Sequence, residues 1–374
     1  MRNTHGAFSI ALSGFQTQHK AASLTLSVPQ GTCMALLGIG QETSYFDTLT
    51  QTLAGHIPSL GGTLTVSAED VTQAPPGKRR LGTLSHNTPL FPHLKVRENI
   101  ALPLKADLSL SPSEIQHRTT QAIALLGLDA VQDQSPSALM AELTFRVCLA
   151  RLLVLNPGAI VLNNPFMHMD QATAMRLLSL LEKLQRAIGL SILLLTQSRT
   201  EAVMAADTIG IIKDGTLLQT GTAETLLSRP AHENVLTALG DANTLTGKVL
   251  SIEDDYAILR LPSGETVEAM SAPDLAADDL ATICILPERL SVIFPRTAGA
   301  PAEEPDLLVS SLVSARHTGN AIHMRFRLRD GTEITVCRPP VHQPRELQAG
   351  REAFLAWQTS SATAFPMDQR PLSS

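Results

Sequence analysis

Three short apolar runs constrain this chain most. Met34-Ala35-Leu36-Leu37, Ala159-Ile160-Val161-Leu162 and Ser191 to Leu195 each read as a buried strand. Helical periodicity appears between and beyond them, in Glu114 to Leu126 and in Ala172 to Ile188. Leu24 to Val28 alternates as a half-buried strand before the turn Pro29-Gln30-Gly31. Ile209 to Leu218 reads as a hairpin with an Asp214-Gly215 turn. Alternating strands and helices over residues 1 to about 236 predict an α/β domain. Residues 243–367 instead alternate with period two and carry short turns, which predicts an all-β domain. Residues 368–374 read as a tail.

The β region contains a repeat. Arg260-Leu261-Pro262-Ser263-Gly264-Glu265-Thr266-Val267 echoes Arg327-Leu328-Arg329-Asp330-Gly331-Thr332-Glu333-Ile334. Each copy leads to an acidic-Leu turn, Asp274-Leu275 or Glu346-Leu347, and then an apolar strand. Two such units side by side predict a small double barrel. Thr297 to Pro305 reads as the linker between them.

Composition narrows the function classes. The 374 residues are 44% hydrophobic and 17% charged, enough for about two globular domains. A net charge of −6 argues against a nucleic-acid partner. No apolar run approaches the roughly 18 residues of a spanning helix. Met1-Arg2-Asn3-Thr4-His5 leads into no apolar segment of the kind a signal peptide needs. Cys33, Cys148, Cys284 and Cys337 are scattered in apolar contexts and read as buried thiols in a reducing compartment, with no metal or disulfide framework.

Several segments resemble, in order, the ATP-binding subunits of ABC importers. Pro75-Pro76-Gly77-Lys78-Arg79-Arg80-Leu81-Gly82 resembles the stretch before that family's Q-loop. Leu90-Phe91-Pro92-His93-Leu94-Lys95-Val96-Arg97-Glu98-Asn99-Ile100 resembles the segment after it. Arg146 to Arg151 resembles the helix after the ABC signature. Asn156-Pro157, Pro165-Phe166 and Asp170 follow the Walker B and D-loop region. Asp214-Gly215 and Gly221-Thr222 resemble the closing hairpin. The C-terminal repeat, with Leu286-Pro287-Glu288-Arg289-Leu290, resembles the OB-like TOBE domain of spermidine/putrescine, iron and phosphonate importers. The implied architecture is a P-loop NTPase-like ABC ATPase domain followed by a small all-β double OB-like domain.

The nucleotide-contacting positions depart from that family. A phosphate loop needs small residues, a Lys for phosphate charge and a hydroxyl for Mg²⁺. Here the loop reads Gly38-Ile39-Gly40-Gln41-Glu42-Thr43-Ser44-Tyr45, with Ser44 in place of Lys and Tyr45 in place of Ser or Thr. It is a relic, and Gly38, Gly40, Gln41, Thr43, Ser44 and Tyr45 are its candidate contacts. His86 stands at the Q-loop glutamine. Leu139-Met140-Ala141-Glu142-Leu143 replaces the signature, and Met140 and Glu142 are expected to obstruct and repel a γ-phosphate.

Asn163 replaces the Mg²⁺-organising Asp, Asn164 the catalytic Glu and Gln197 the switch His. An amide brings no charge and cannot serve as a general base, and a positioned base alone is worth about 10²–10⁴ in rate. No catalytic residue is intact. The resemblance implies ATP and Mg²⁺ as cofactors; the substitutions count against their binding in this chain. His168 and Asp170 fall at the D-loop without an expected metal role. Arg79-Arg80 reads as a solvated basic patch.

The resemblance further implies partners: permease subunits contacted through Phe91, Pro92, His93 and Leu94, a second ABC ATPase subunit (an identical copy or an intact sibling), and indirectly a periplasmic solute-binding protein. It implies a peripheral location on the cytoplasmic face of the bacterial inner membrane. Two alternatives stand beside a catalytically degenerate importer subunit. One is a soluble ligand-sensing module derived from such an ATPase. The other is an active ATPase with displaced motifs, drawing on Lys20, Lys78 or Glu69-Asp70.

Overall fold

The computed structural model describes residues 8–17, 22–40, 43–295, 307–340 and 347–367. The linker reading at Thr297 to Pro305, the residues Gln41, Glu42, Lys20 and Glu346, and the 368–374 tail lie outside the described residues. The chain divides into two compact units, Met1–Ala223 and Glu224–Ser374.

In the first unit the elements run β1 (Phe8–Gln16), β2 (Leu24–Pro29), β3 (Cys33–Ile39), α1 (Thr43–Ala54), β4 (Gly61–Val66), β5 (Glu69–Asp70), β6 (Leu81–Ser85), α2 (Val96–Lys105), α3 (Pro112–Leu125), α4 (Ala141–Leu153), β7 (Ala159–Asn163), α5 (Gln171–Ile188), β8 (Ile192–Thr196), α6 (Arg199–Ala205), β9 (Thr208–Lys213) and β10 (Thr216–Gly221). Six strands form one sheet in the order β10-β9-β3-β8-β7-β6. All its pairings are parallel except β10 on β9. Every residue of β7 and β8 is buried. That is why they read as unbroken apolar runs: a parallel strand covered by helices has no solvent face. A second, antiparallel sheet has the order β2-β1-β4-β5. The two sheets and α1 enclose one core, with Ile10, Phe15, Leu36, Phe46, Leu49, Leu64 and Leu193 inside.

The Asp-Gly turn lies where its residues predict. Lys213 pairs with Thr216, and Asp214 and Gly215 both have positive φ, 51° and 71°. Both positive angles belong to the primed turn that matches strand twist.

The second unit begins with the short helices α7 (Ala223–Ser228) and α8 (Glu233–Gly240). Its strands are β11 (Asn243–Glu253), β12 (Tyr256–Arg260), β13 (Thr266–Ser271), β14 (Leu280–Ile285), β15 (Ser291–Ile293), β16 (Leu308–His317), β17 (Ile322–Leu328), β18 (Glu333–Arg338), β19 (Glu352–Ala356) and β20 (Ala362–Pro366). The sequence repeat is a structural repeat. In one hairpin, Leu261 N–H donates to Glu265 O and Gly264 N–H to Leu261 O; in the other, Leu328 N–H donates to Thr332 O and Gly331 N–H to Leu328 O. The two halves differ in closure. β11-β12-β13-β20-β14 is a closed barrel, whereas β15-β19-β16-β17-β18 is a five-stranded sheet. The last strand returns from the second half to close the first. One apolar cluster, from Leu245 and Ile283 to Phe326 and Leu355, runs through both halves.

Cys33, Cys148 and Cys284 are buried; Cys337 is only half-buried, which corrects the expectation of four buried thiols. Burial is the main cause that pushes the Cys33 and Cys284 thiols up to about 12, with the Asp207 and Glu233 charges adding to it. Among the described residues, no helix is long and apolar enough to cross a membrane.

Candidate functional site

Register brings the singled-out residues together. Leu37 pairs with Thr196, Asn163 with Leu195, and Ser85 with Asn163. The carboxyl ends of β3, β6, β7 and β8 therefore share one edge, which borders the crevice outside the strand ends. Such a crevice is the default ligand site of an open α/β sheet. Gly40, His86, Asn164 and Gln197 all follow these strand ends.

Protein groups pair with one another inside that crevice. Asn163, fully buried at the end of β7, donates from Nδ2 to Asp47 Oδ1 of α1 at 2.7 Å. Asn164 Nδ2 donates to Asn163 Oδ1 at 3.1 Å. Asn164 is buried, has φ 42° and donates its backbone N–H to Leu195 O at 2.8 Å. Asn tolerates this left-handed conformation better than most residues. Gln197 Nε2 donates to Gly40 O at 3.4 Å, joining the end of β8 to the turn after β3. His86 N–H donates to Asn163 O at 3.2 Å.

The relic loop is divided in its placement. Gly38 lies within β3, paired with Ile212 of β9, and Gly40 follows the strand with φ 83°. Thr43 opens α1 and Ser44 is exposed. Tyr45 turns into the core, 6% exposed, beside the fully buried Phe46. An aromatic ring anchored there leaves no hydroxyl of the Ser/Thr kind for a metal at that position.

Beside this row lies a cavity of about 460 Å³ lined by Asn164, Met167, Met175, Gln197 and Glu201. Burial pushes the Glu201 carboxyl up, opposed by the hydrogen bond it accepts from Thr196 Oγ1 at 2.6 Å. Sequence reasoning missed Asp47 and Glu201. Asp47 lies 116 residues from Asn163, and no local signal ties them.

The signature position shows a difference. Met140 is exposed and caps α4, but Glu142 does not present a free charge. Its carboxylate accepts from Arg176 Nη2 at 2.9 Å and Arg146 Nη2 at 2.8 Å, and these guanidiniums hold it below the usual carboxylate range. The charge expected to repel phosphate is neutralised locally. The basic-patch reading also fails at Arg79, which is 4% exposed and donates to four backbone carbonyls. Only Arg80 is solvated.

The alternative acids and lysine do not reach the crevice. Lys78 lies in the turn before β6, at the opposite end of the strands from Asn163. Glu69 and Asp70 form β5 of the antiparallel sheet, with Asp70 held by Thr72.

Phe91, Pro92 and His93 are exposed and Leu94 is half-buried, and their backbone is tied down from one side. Asn99, fully buried, donates from Nδ2 to Phe91 O and Leu94 O at 3.0 Å each and accepts from Phe91 N–H at 2.8 Å. His93 stacks edge-on against Phe91 at 6.0 Å, and the Arg151 guanidinium lies 5.8 Å from the Phe91 centroid.

Comparison with known proteins agrees with this architecture. The family described as ABC transporter matches residues 22–167, and the TOBE domain family matches residues 283–365. The chain is 29% identical over 319 residues to the "Spermidine/putrescine import ATP-binding protein PotA 1" of Pseudomonas aeruginosa, covering 84% of each chain. It is 32% identical over 276 residues to the "Putative 2-aminoethylphosphonate import ATP-binding protein PhnT" of Salmonella choleraesuis, covering 74% of each. Among solved structures, cbiO1 from Clostridium perfringens, part of the ABC transporter complex cbiONQ, aligns with a TM-score of 0.54 at 17% identity, over 62% of this chain and 95% of that one. That likeness concerns the fold alone. With a relative 32% identical over 74% of the chain, and a TOBE domain following the ABC unit, this protein belongs to the ABC transporter family, among its importer ATP-binding proteins.

Proposed function

We propose that this chain is a catalytically degenerate ATP-binding-type subunit of an ABC importer, acting as a structural or regulatory half at the permease. The observation that carries the reading is the internal hydrogen bonding of the crevice. Gln197 reaches Gly40, and Asp47, Asn163 and Asn164 satisfy one another, in the place where phosphates and Mg²⁺ would be held. An ATPase of this family would use the polar groups there to hold phosphate charge, Mg²⁺ and a water. Here they are spent on hydrogen bonds within the protein: among the described residues of the loop and the ends of β3, β6, β7 and β8 no lysine is present, and the Asp47 carboxylate is engaged by Asn163. Losses of base, lysine and switch residue are not additive, but together they leave no useful hydrolysis.

The partners follow from the same reading. Phe91, Pro92 and His93 form an exposed aromatic surface fixed from below by Asn99, which suits a docking contact with a permease. The second ATPase subunit would be an identical copy or an intact sibling. The site it shares with an intact sibling would lack either this chain's phosphate loop or its signature. The relatives are named for spermidine/putrescine and 2-aminoethylphosphonate import, so the importer belongs to that solute group. Its place is the cytoplasmic face of the inner membrane, as a peripheral subunit.

The test is affinity capture of the tagged chain from detergent-solubilised membranes of its own source. The expected result is a permease subunit in the captured complex, lost in the Phe91→Ala/His93→Ala variant. Capture without any permease sinks the reading and favours a soluble module that has left the transporter.

A further inference from the structure

Two histidines from separate segments meet beside the crevice. His86 follows β6, and its backbone is tied to Asn163 O. His168 lies in the turn between β7 and α5. That turn is set by Met167 N–H on Asn164 O, by Met169 N–H on Phe166 O, and by Asp170, which accepts from Thr173 N–H at 2.9 Å to cap α5. The two rings stand with centroids 5.6 Å apart and planes at 71°. Both line a cavity of about 280 Å³, together with Met169 and Cys148. His86 Nδ1 is buried and has no hydrogen-bond partner. A buried polar atom left unpaired is unfavourable, so this nitrogen calls for a partner.

The separation fits a shared ligand. An imidazole bound at about 2.0–2.1 Å places its ring centroid roughly 3.2 Å from a metal. Two centroids 5.6 Å apart then subtend about 120° at that metal, an ordinary three-coordinate angle. His168 is exposed and supplies an entry path from solvent.

The lining selects the metal. No carboxylate lines the cavity, so hard cations such as Mg²⁺ and Ca²⁺ have no oxygen anion to hold them. Among the described residues no group of three or more His, Cys, Asp or Glu side chains is gathered for a metal, so a site demanding four such ligands is not built. Cys148 is engaged elsewhere: its thiol donates to Thr88 O at 3.6 Å. What remains is two imidazoles and a thioether. Thioether and imidazole together suit a soft, monovalent ion of low coordination number. We propose that His86, His168 and the Met169 thioether form a copper(I) site. Copper held there would join the loop after β6 to the turn after β7. This inference does not depend on the importer reading.

The experiment uses the whole purified chain under anaerobic, reducing conditions. Copper(I) is delivered as its bicinchoninate complex, whose colour falls as the protein takes up metal. One equivalent is expected to transfer. His86→Gln and His168→Asn should each weaken binding by about tenfold or more, and Met169→Leu by a smaller factor. Melting curves of the metal-free variants report whether they fold. X-ray absorption of the wild-type copper adduct keeps the test independent of the variants and should show two imidazoles and one sulfur. No transfer, transfer unchanged in all three variants, a shell with two or more sulfurs, or tighter Zn²⁺ binding that is lost in Cys148→Ser would each overturn the proposal.

Discussion

Asn163→Asp, which reinstates the acid found in the ATPases of this family, is expected to destabilise the fold by about 3–4 kcal/mol at pH 7. In the native chain the Asn163 amide donates to the Asp47 carboxylate at 2.7 Å from a fully buried position. The substitution replaces that donor with a second carboxylate at hydrogen-bond distance. Two carboxylates so close cannot both ionise, and the pair retains one proton. Keeping a proton on a group with an unfolded pKa near 3.9 costs about 1.4 kcal/mol per pH unit above that value. The folded-state pKa of the variant is raised above its unfolded value, so the sign follows. The deficit relative to wild type is absent below about pH 4, grows as pH rises, and levels off above the folded pKa. Urea unfolding of both proteins at pH 5 and pH 7 measures it. An equal difference at the two pH values, or none, would mean that Asp47 and Asn163 do not meet as described. On the proposed reading the variant also shows no hydrolysis, because Tyr45 and Ser44 still stand in the phosphate loop.

The second large effect is expected at Arg79. Its Nε donates to Ala74 O at 2.8 Å, Nη1 to Thr52 O at 2.7 Å and Leu53 O at 2.9 Å, and Nη2 to Thr72 O at 2.9 Å. Thr52 and Leu53 belong to the last turn of α1, where carbonyls lack helical partners and the helix dipole favours a cation. Hydrogen bonds to a charged group contribute about 1.5–3 kcal/mol each, and four on one side chain are not additive. Arg79→Met should therefore lower stability by roughly 3–5 kcal/mol. Arg79→Lys should recover less than half, because an ammonium lacks the planar fork that reaches carbonyls on both sides. Denaturant unfolding of the three proteins distinguishes this from a surface arginine, for which both changes fall within about 0.5 kcal/mol. The same side chain explains Gly55, which has φ 88° and where a Cβ would stand 2.6 Å from Arg79 Nε.

Arg79 marks where sequence reading stops. In the chain it sits beside Arg80, and two adjacent cations resemble a solvated patch. Its carbonyl partners in α1 lie 26 and 27 residues away, and nothing local announces them. Local pattern was enough for β3, β7 and β8, because complete burial removes every polar residue from such strands until their ends. It was enough for the Asp214-Gly215 hairpin, because two positive φ angles demand those residue types. It located both repeat hairpins through Gly264 and Gly331.

Pattern was not enough for β1, whose alternation breaks at Gly14 where the register with β2 shifts between Leu12 and Phe15. Nor did it reveal that β20 closes the first barrel, which depends on pairings with β13 and β14 about 80 to 90 residues earlier. The crevice divides in the same way. Asn163, Asn164, Gln197 and Gly40 were legible as replaced motif positions, each by its place after a strand. Their mutual hydrogen bonds, and the neutralisation of Glu142 by Arg146 and Arg176, are products of tertiary packing.

The central claim is that the crevice no longer serves nucleotide. Titrating the purified chain with a fluorescent ATP analogue, with and without Mg²⁺, and following phosphate release in the same sample tests it most directly. The account predicts no saturable Mg²⁺-dependent binding up to millimolar nucleotide and no phosphate release above the protein-free rate. Mg²⁺-dependent binding in the micromolar range, or release that scales with protein, would contradict it and would overturn the reading of Gly38 to Tyr45 as a relic.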